Sequence, residues 1–142
     1  MSSVFSKIID GDIPGRFVWS DDQCVAFLTA EPARPGHAMV VPRTEIDHWL
    51  DIPEDLAHHL FTVARHIGAA QREEFTPVRV GLLIEGYGVP HVHLHVWPSE
   101  SPDDFDPGNV ERDPDPAAMD AAAGRLRSRL RAQGHGRFVP EP

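Results

Sequence analysis

The sequence predicts an α+β fold with five strands, one short helix, one long helix and a C-terminal helix. Short apolar segments, rich in β-branched residues and bounded by glycine, proline or aspartate, are typical of strands. A helical stripe follows them, because Leu56, Leu60, Val63 and Ile67 recur at i, i+4, i+7 and i+11. A chain of 142 residues is long enough for one domain with a substantial core.

The first half of the chain is expected to supply the short helix and three strands. Residues 3–10 favour a helix with Phe5, Ile8 and Ile9 on one side, and the glycine and proline residues that follow end it. Asp22 and Gln23 fit a hairpin turn between the first two strands. The expected strands cover residues 17–19, 24–28 and 37–42.

The second half is expected to begin with the long helix, over residues 51–74, whose start carries a proline and two acids. Residues 78–84 are almost wholly apolar, which predicts a fourth strand at the centre of the sheet. The fifth strand covers residues 91–97. The short link between the last two strands favours an antiparallel pair.

Residues 99–142 differ in composition from residues 1–98. Residues 100–120 contain eight acidic residues and one arginine, so we expect an irregular, solvated acidic arm there. A helix follows from residue 115 to about 133, with an apolar edge that should pack on the same domain. Residues 135–142 are expected to form a loose tail.

Charge and composition exclude several classes of partner. The formal net charge of −9 argues against a basic surface for a nucleic-acid polymer. The sequence has no apolar run of bilayer length and no pattern of a signal peptide, so no membrane partner is expected. A single cysteine, Cys24, is compatible with the reducing cytoplasm, where we expect the protein to reside.

The fifth strand carries the main chemical signal. His91, His93 and His95 alternate with aliphatic residues, so in a strand the three imidazoles share one face. Three interpretations stay open on these residues alone. They are a nucleophilic site, a polar patch without turnover, and a metal site, of which the last is least favoured because no obvious carboxylate or cysteine accompanies the histidines.

This strand matches the alternating histidine signature of the histidine triad (HIT) family, His-φ-His-φ-His-φ-φ. Residues 4–14 resemble the opening helix and turn of that family. Residues 25–28 and 35–42 resemble its second and third strands. The resemblance extends from Ser3 to Pro98, which we interpret as a HIT domain over residues 1–98.

The resemblance implies a HIT-like fold around a five-stranded antiparallel sheet, and a homodimer in which two sheets join. It also implies a hydrolase of small nucleotides that needs no cofactor or catalytic metal, acting on phosphoramidates or dinucleoside polyphosphates. In this interpretation His93 attacks the α-phosphorus, and His95 stabilises the phosphate and assists the leaving group. His91 and His37 support their hydrogen-bond network. The implied substrate-binding residues are Phe27, Leu28, Thr29, Gly86, Tyr87, Gly88 and Val89.

The chain departs from the family pattern at two places. Some relatives hold a structural zinc, but the corresponding residues here are Ser3, Ser6, Glu45 and His91, so we predict no zinc. Thr29 replaces the aspartate that usually grips the ribose, and the loop before the triad is short. The alternative function is therefore a nucleotide-binding module with weak or no catalysis.

Overall fold

The structure, a computed structural model, describes residues 2–142. Five strands form one antiparallel sheet in the order β1-β2-β3-β5-β4. The strands are β1 (Phe17–Ser20), β2 (Cys24–Leu28), β3 (Ala38–Pro42), β4 (Arg79–Leu83) and β5 (Leu94–Ser99). The helices are α1 (Val4–Ile9), α2 (Glu54–Phe75) and α3 (Pro116–Leu130). The predicted α+β class and antiparallel sheet are confirmed.

Two strand predictions were wrong. β4 lies at an edge of the sheet rather than at its centre, because β5 pairs with both β3 and β4. Its apolar composition does not reflect burial, since Leu82 and the preceding Val78 are exposed. β5 begins at Leu94, so His91 and His93 precede the paired strand.

The main core lies between the sheet and α2. Leu60, Val63 and Ile67 of the predicted helical stripe are buried, together with Leu94 and Val96 of β5. The buried Gln71 donates from Nε2 to the carbonyls of Gly36 and Val96, which ties the helix to the end of the sheet. This face of the sheet is therefore covered by helix.

The C-terminal helix α3 packs on α2 and β1. Glu74 of α2 accepts hydrogen bonds from Arg125 and Arg129 of α3. The prediction of a loose tail was wrong. Phe138 stacks on Trp19 with ring centroids 4.9 Å apart, and Val139 is buried in the main core.

The acidic arm is ordered against the opposite face of the sheet. Two 3₁₀ turns span Pro102–Phe105 and Pro107–Asn109. Asp104 is buried, where it accepts hydrogen bonds from the Arg34 guanidinium and the Glu100 amide. The Phe105 ring meets Trp97 edge to face at 4.6 Å. A Cβ at Gly81 would lie 2.8 Å from Trp97, so this position in β4 admits only glycine without rearrangement.

Candidate active site

The triad segment divides its side chains between the two faces of the sheet, as the alternation predicts. Leu94 and Val96 enter the core under α2. The histidines lie on the other face, where Phe5 of α1 covers His91 and His93. The Phe5 ring centroid is 4.8 Å from that of His93 and 5.9 Å from that of His91.

His91 is fully buried and bonded at both ring nitrogens. Its Nε2 lies 2.8 Å from the carbonyl oxygen of Pro42, which can only accept, so Nε2 carries the proton. Its Nδ1 then accepts from the Ser3 hydroxyl at 2.6 Å. Ser3 also caps α1 by accepting from the Ser6 amide. His91 thus fixes the covering helix to the end of β3 and has no free nitrogen for substrate.

His93 keeps one ring nitrogen available. Its Nδ1 lies 2.9 Å from the carbonyl oxygen of His91 and must donate to it, so the other nitrogen, Nε2, bears a lone pair. Burial lowers the pKa of this ring, although the hydrogen bond to the His91 carbonyl and the charge of Glu85 oppose the shift. A neutral imidazole with an unprotonated nitrogen is a competent nucleophile.

A hydrogen bond from His37 determines the tautomer of His95. The Ala33 amide donates to Nδ1 of His37 at 3.0 Å, so the proton of the neutral His37 ring is on Nε2. That nitrogen lies 2.9 Å from Nδ1 of His95 and donates to it. His95 consequently carries its own proton on Nε2. Burial is the main cause that lowers the pKa of His37 to about 3 and that of His95 to about 4, so both rings are neutral near pH 7.

Two different environments flank the histidines. On the side of His93 an apolar cluster contains Phe5, Phe27 and Met39. On the side of His95 a pocket of about 380 Å³ is lined by His37, His95 and the acidic arm. An imidazole nitrogen with a lone pair and an imidazole N–H therefore lie between an apolar wall and a pocket with charged and apolar lining, an arrangement suited to group transfer at phosphorus.

The predicted substrate-binding residues do not all lie at this site. Phe27 is in the apolar cluster, and Thr29 lines the pocket beside His95. Leu28 lies on the other face of β2, because strand alternation turns its side chain into the core under α2, and its contact with substrate remains a prediction.

The turn before the triad is open to solvent at its tip. Gly86 adopts a positive φ of 81°, and Gly88 is exposed. Tyr87 is 92 % exposed, and Val89 packs against the apolar cluster beside His93.

The positions that correspond to zinc ligands in some relatives form a hydrogen-bonded group instead. Glu45 accepts from the Ser3 amide and the Ser6 hydroxyl, and these contacts lower its pKa. Two hydroxyls, one carboxylate and a histidine engaged at both nitrogens do not suit a structural zinc ion, which prefers thiolate and imidazole. The absence of zinc remains a prediction.

Sequence reasoning missed the role of the arm and a second histidine cluster. Asp104, Phe105 and Asp106 line the pocket beside His95, although no motif in the arm indicates it. No motif in the sequence distinguishes His59, His66 and His135 from residues of the solvated surface. They are instead partly buried around Trp19, under the opposite face of the sheet.

Comparisons with known proteins agree with this geometry. The family model described as the HIT domain matches residues 10–101. The protein Hit of Bacillus subtilis is 35% identical over 100 residues, which cover 67% of this chain and 69% of that protein. An uncharacterized HIT-like protein of Saccharolobus solfataricus is 37% identical over 105 residues, covering 70% of this chain and 76% of its own length.

The solved structures extend the similarity to the C-terminal region. A zinc-bound histidine triad family protein from Mycobacterium smegmatis superposes with a TM-score of 0.82 at 27% identity, over 96% of this chain and 98% of its own. A hypothetical histidine triad nucleotide-binding protein from Sulfolobus tokodaii gives a TM-score of 0.80 at 23% identity, over 90% and 91% of the two chains, which shows the shared fold. Within residues 2–142, no helix has the length and apolar character to cross a membrane. With the triad strand, the matching family model and these relatives, the chain belongs to the histidine triad (HIT) family.

Proposed function

We propose that this protein hydrolyses small nucleotide derivatives, either nucleoside phosphoramidates or dinucleoside polyphosphates, through a covalent nucleotidyl-His93 intermediate. The observation that carries the proposal is the tautomeric state of two neighbouring rings, whose centroids are 4.8 Å apart. His93 has a lone pair on Nε2, and His95 has a proton on Nε2. Membership of a family in which one structural neighbour is named as nucleotide-binding supports a nucleotide substrate.

The first step forms the bond between Nε2 of His93 and the α-phosphorus and breaks the bond to the leaving group. The ring gains positive charge as it attacks, and the His91 carbonyl that accepts from Nδ1 stabilises that charge. The N–H of His95 donates a hydrogen bond to the phosphoryl or leaving atom, where negative charge develops. An amine that leaves takes its proton from solvent.

The second step is hydrolysis of the intermediate. Water attacks the phosphorus, and Nε2 of His93 recovers the electron pair of the P–N bond. The hydroxyl of the water remains on the nucleoside monophosphate. The second proton of the water returns to solvent, which supplied a proton to the leaving amine in the first step. The overall reaction therefore consumes one water and regenerates the neutral His93 tautomer.

Further features support the remaining parts of the proposal. The apolar cluster that contains Phe27 and Met39 offers a wall for a nucleobase beside His93. The edge strand β4, with the exposed Leu82 and with the exposed Val78 just before it, is a suitable surface for a homodimer in which two sheets join. The single buried thiol of Cys24 is compatible with a cytoplasmic location.

A nucleotide-binding module with little turnover is the second candidate. Thr29 stands where family members usually grip the ribose with aspartate, and the turn at Gly86, Tyr87 and Gly88 is short and exposed. Weaker positioning of the nucleotide would reduce the rate even with the histidines intact, because group transfer depends on alignment.

Mass spectrometry after incubation with nucleoside phosphoramidates and dinucleoside polyphosphates tests the proposal. We expect a nucleoside monophosphate adduct on His93 and steady turnover. Replacement His93→Ala should abolish the adduct and lower kcat by at least ~10³-fold, since the nucleophile is removed. His66→Gln is the matched control, because His66 lies under the other face of the sheet. Tight nucleotide binding without turnover in either form would support the module instead.

A further inference from the structure

The acidic arm forms the outer wall of the pocket beside His95. The arm is held there by the Arg34–Asp104 ion pair at 3.0 Å, by the hydrogen bond from the Glu111 amide to the Pro32 carbonyl, and by the contact of Phe105 with Trp97. These contacts join the arm to the loop that precedes β3 and to β5 itself. The wall is thus a fixed part of the site.

The pocket carries more negative than positive charge. Four carboxylates and one guanidinium line it: Glu31, Glu85, Asp104, Asp106 and Arg112. Arg34 pairs with Asp104, and Arg112 lies 3.5 Å from Glu31. Glu85 and Asp106 have no ion pair among residues 2–142. The two histidines of the pocket, His37 and His95, are neutral.

Thr29, at the position that would meet the ribose, lines one part of the pocket, and the part beside Glu85 and Asp106 suits a leaving group. Attack at phosphorus places nucleophile and leaving group on opposite sides of the phosphorus atom. The His95 ring lies 4.8 Å from the His93 ring and borders the pocket, whereas the apolar cluster borders His93. A group that leaves on the His95 side therefore enters the space beside Glu85 and Asp106.

We infer that Glu85 and Asp106 select the leaving group by charge, which favours an amine bearing a second, positively charged group over a carboxylate or a polyphosphate. The inference rests on the proposed hydrolysis at His93. Glu85 and Asp106 are both exposed, and their unpaired carboxylates attract a cation and repel an anion most strongly at low salt. Among the described residues that line the pocket, none offers an unpaired cation to a chain of phosphates.

Two substrates of equal length isolate this effect. Adenosine 5′-phosphate is joined through a P–N bond to 1,4-diaminobutane or to 4-aminobutanoate, so that only the distal charge differs. The guanosine pair is used if adenosine is not accepted. We expect kcat/KM for the cationic substrate to exceed that for the anionic one by about tenfold at low salt, and slow cleavage of diadenosine tetraphosphate.

The double variant Glu85→Gln/Asp106→Asn should reduce that preference by about three- to tenfold, mainly by improving the anionic substrate. The side-chain amide introduced in place of the Asp106 carboxylate retains an oxygen to accept from the Gly108 backbone N–H, so the turn of the arm should persist. Asp103→Asn/Glu73→Gln removes the same charge from exposed positions outside the pocket and should leave the preference unchanged.

The possible failures are distinguishable. If wild-type protein forms no His93 adduct with any substrate, the proposed function fails and the inference with it. If the adduct forms but the double variant alters both substrates equally, the arm does not contact the leaving group and the inference alone is wrong. Equal kcat/KM for the two wild-type substrates would also overturn it.

Discussion

Two histidine clusters lie on opposite faces of the same sheet, and they differ in how their ring nitrogens are used. In the triad cluster, His37, His91, His93 and His95 are linked to one another and to backbone groups, so each ring has a defined tautomer. In the second cluster, around Trp19, the rings mainly stack. His66 lies 5.7 Å from the Trp19 ring and 4.2 Å from that of His135.

The second cluster is anchored by hydrogen bonds to one carboxylate instead of a chain of linked imidazoles. His59 Nε2 lies 2.7 Å from Asp21, whose carboxylate also accepts from the Trp19 indole and the amides of Gln23 and Cys24. These bonds join the β1–β2 turn to α2. Several histidines in one place therefore do not make a catalytic site. A reactive ring also needs a defined tautomer and a free nitrogen facing a cleft.

The largest difference between the clusters should be in kcat, when one imidazole ring is removed from each cluster in turn. His37→Ala removes the donor that holds Nδ1 of His95 unprotonated, so His95 can shift its proton away from the substrate side. We expect kcat to fall by about 10²-fold. His66→Ala should change kcat by less than about twofold. Steady-state kinetics and thermal unfolding of both variants measure this. Equal losses of activity would contradict the proposed division between the clusters.

Replacement of Asp21 in the second cluster should have the opposite effect, which is a loss of stability without a loss of activity. Its side chain is only 9% exposed, and Asp21→Ala leaves the Trp19 indole and two amides without their acceptor. We expect a loss of about 2–4 kcal/mol in the free energy of unfolding. Activity per folded molecule should be retained. Urea unfolding combined with kinetics at low temperature tests this, and Asp22→Asn, on the neighbouring residue, is the control. A large loss of kcat in folded Asp21→Ala would show that the two faces are coupled.

The sequence alone predicted which residues share the face of the sheet that carries the triad, because that prediction depends on local patterns. Alternation places His93 and His95 together on one face, and the apolar stripe of α2 identifies the core on the other. The edge position of β4 could not be predicted, because an apolar strand at an edge has the same composition as a central one. The family resemblance explains the roles expected for the histidines, but the tautomers come from contacts with Ala33 and the His91 carbonyl.

The remaining features depend on contacts between distant segments. Asp104 meets Arg34 across 70 positions of sequence, and nothing local distinguishes Asp104 from the other acids of the arm. Phe138 and His135 pack on Trp19, although their segment has the composition of a solvated tail. For Leu28, strand alternation and the family resemblance lead to different expectations. The alternation of β2 is sufficient to assign it to the core, but the family resemblance groups it with Phe27.

The smallest expected effect is a difference between the two clusters in the pH range over which they change the stability of the protein. The ordinary histidine pKa of 6.5 falls to about 4 for His95 in the folded protein, chiefly through burial and then through the charge of His93. The unfolded chain therefore binds more protons than the folded one below pH 6.5, and stability decreases as the pH falls toward 4. For Asp21, burial opposes ionisation, but its hydrogen bonds outweigh burial and lower the pKa from 3.8 to about 2. Its contribution is present above pH 3.8 and is lost only as the pH falls toward 2.

Substitutions in the two clusters should thus change the pH dependence of stability in different windows. His95→Gln should reduce the slope of unfolding free energy between pH 6.5 and 4 by about 1 kcal/mol per pH unit, because one buried neutral ring no longer resists protonation. Asp21→Asn should leave that slope unchanged, because it lowers stability by a constant amount above pH 3.8 and alters the pH dependence only below pH 3.8. Urea midpoints from about pH 7 to about pH 3 measure both. An unchanged slope in His95→Gln would mean that this ring titrates normally, and the neutral, directed relay from His37 to the cleft would then be wrong.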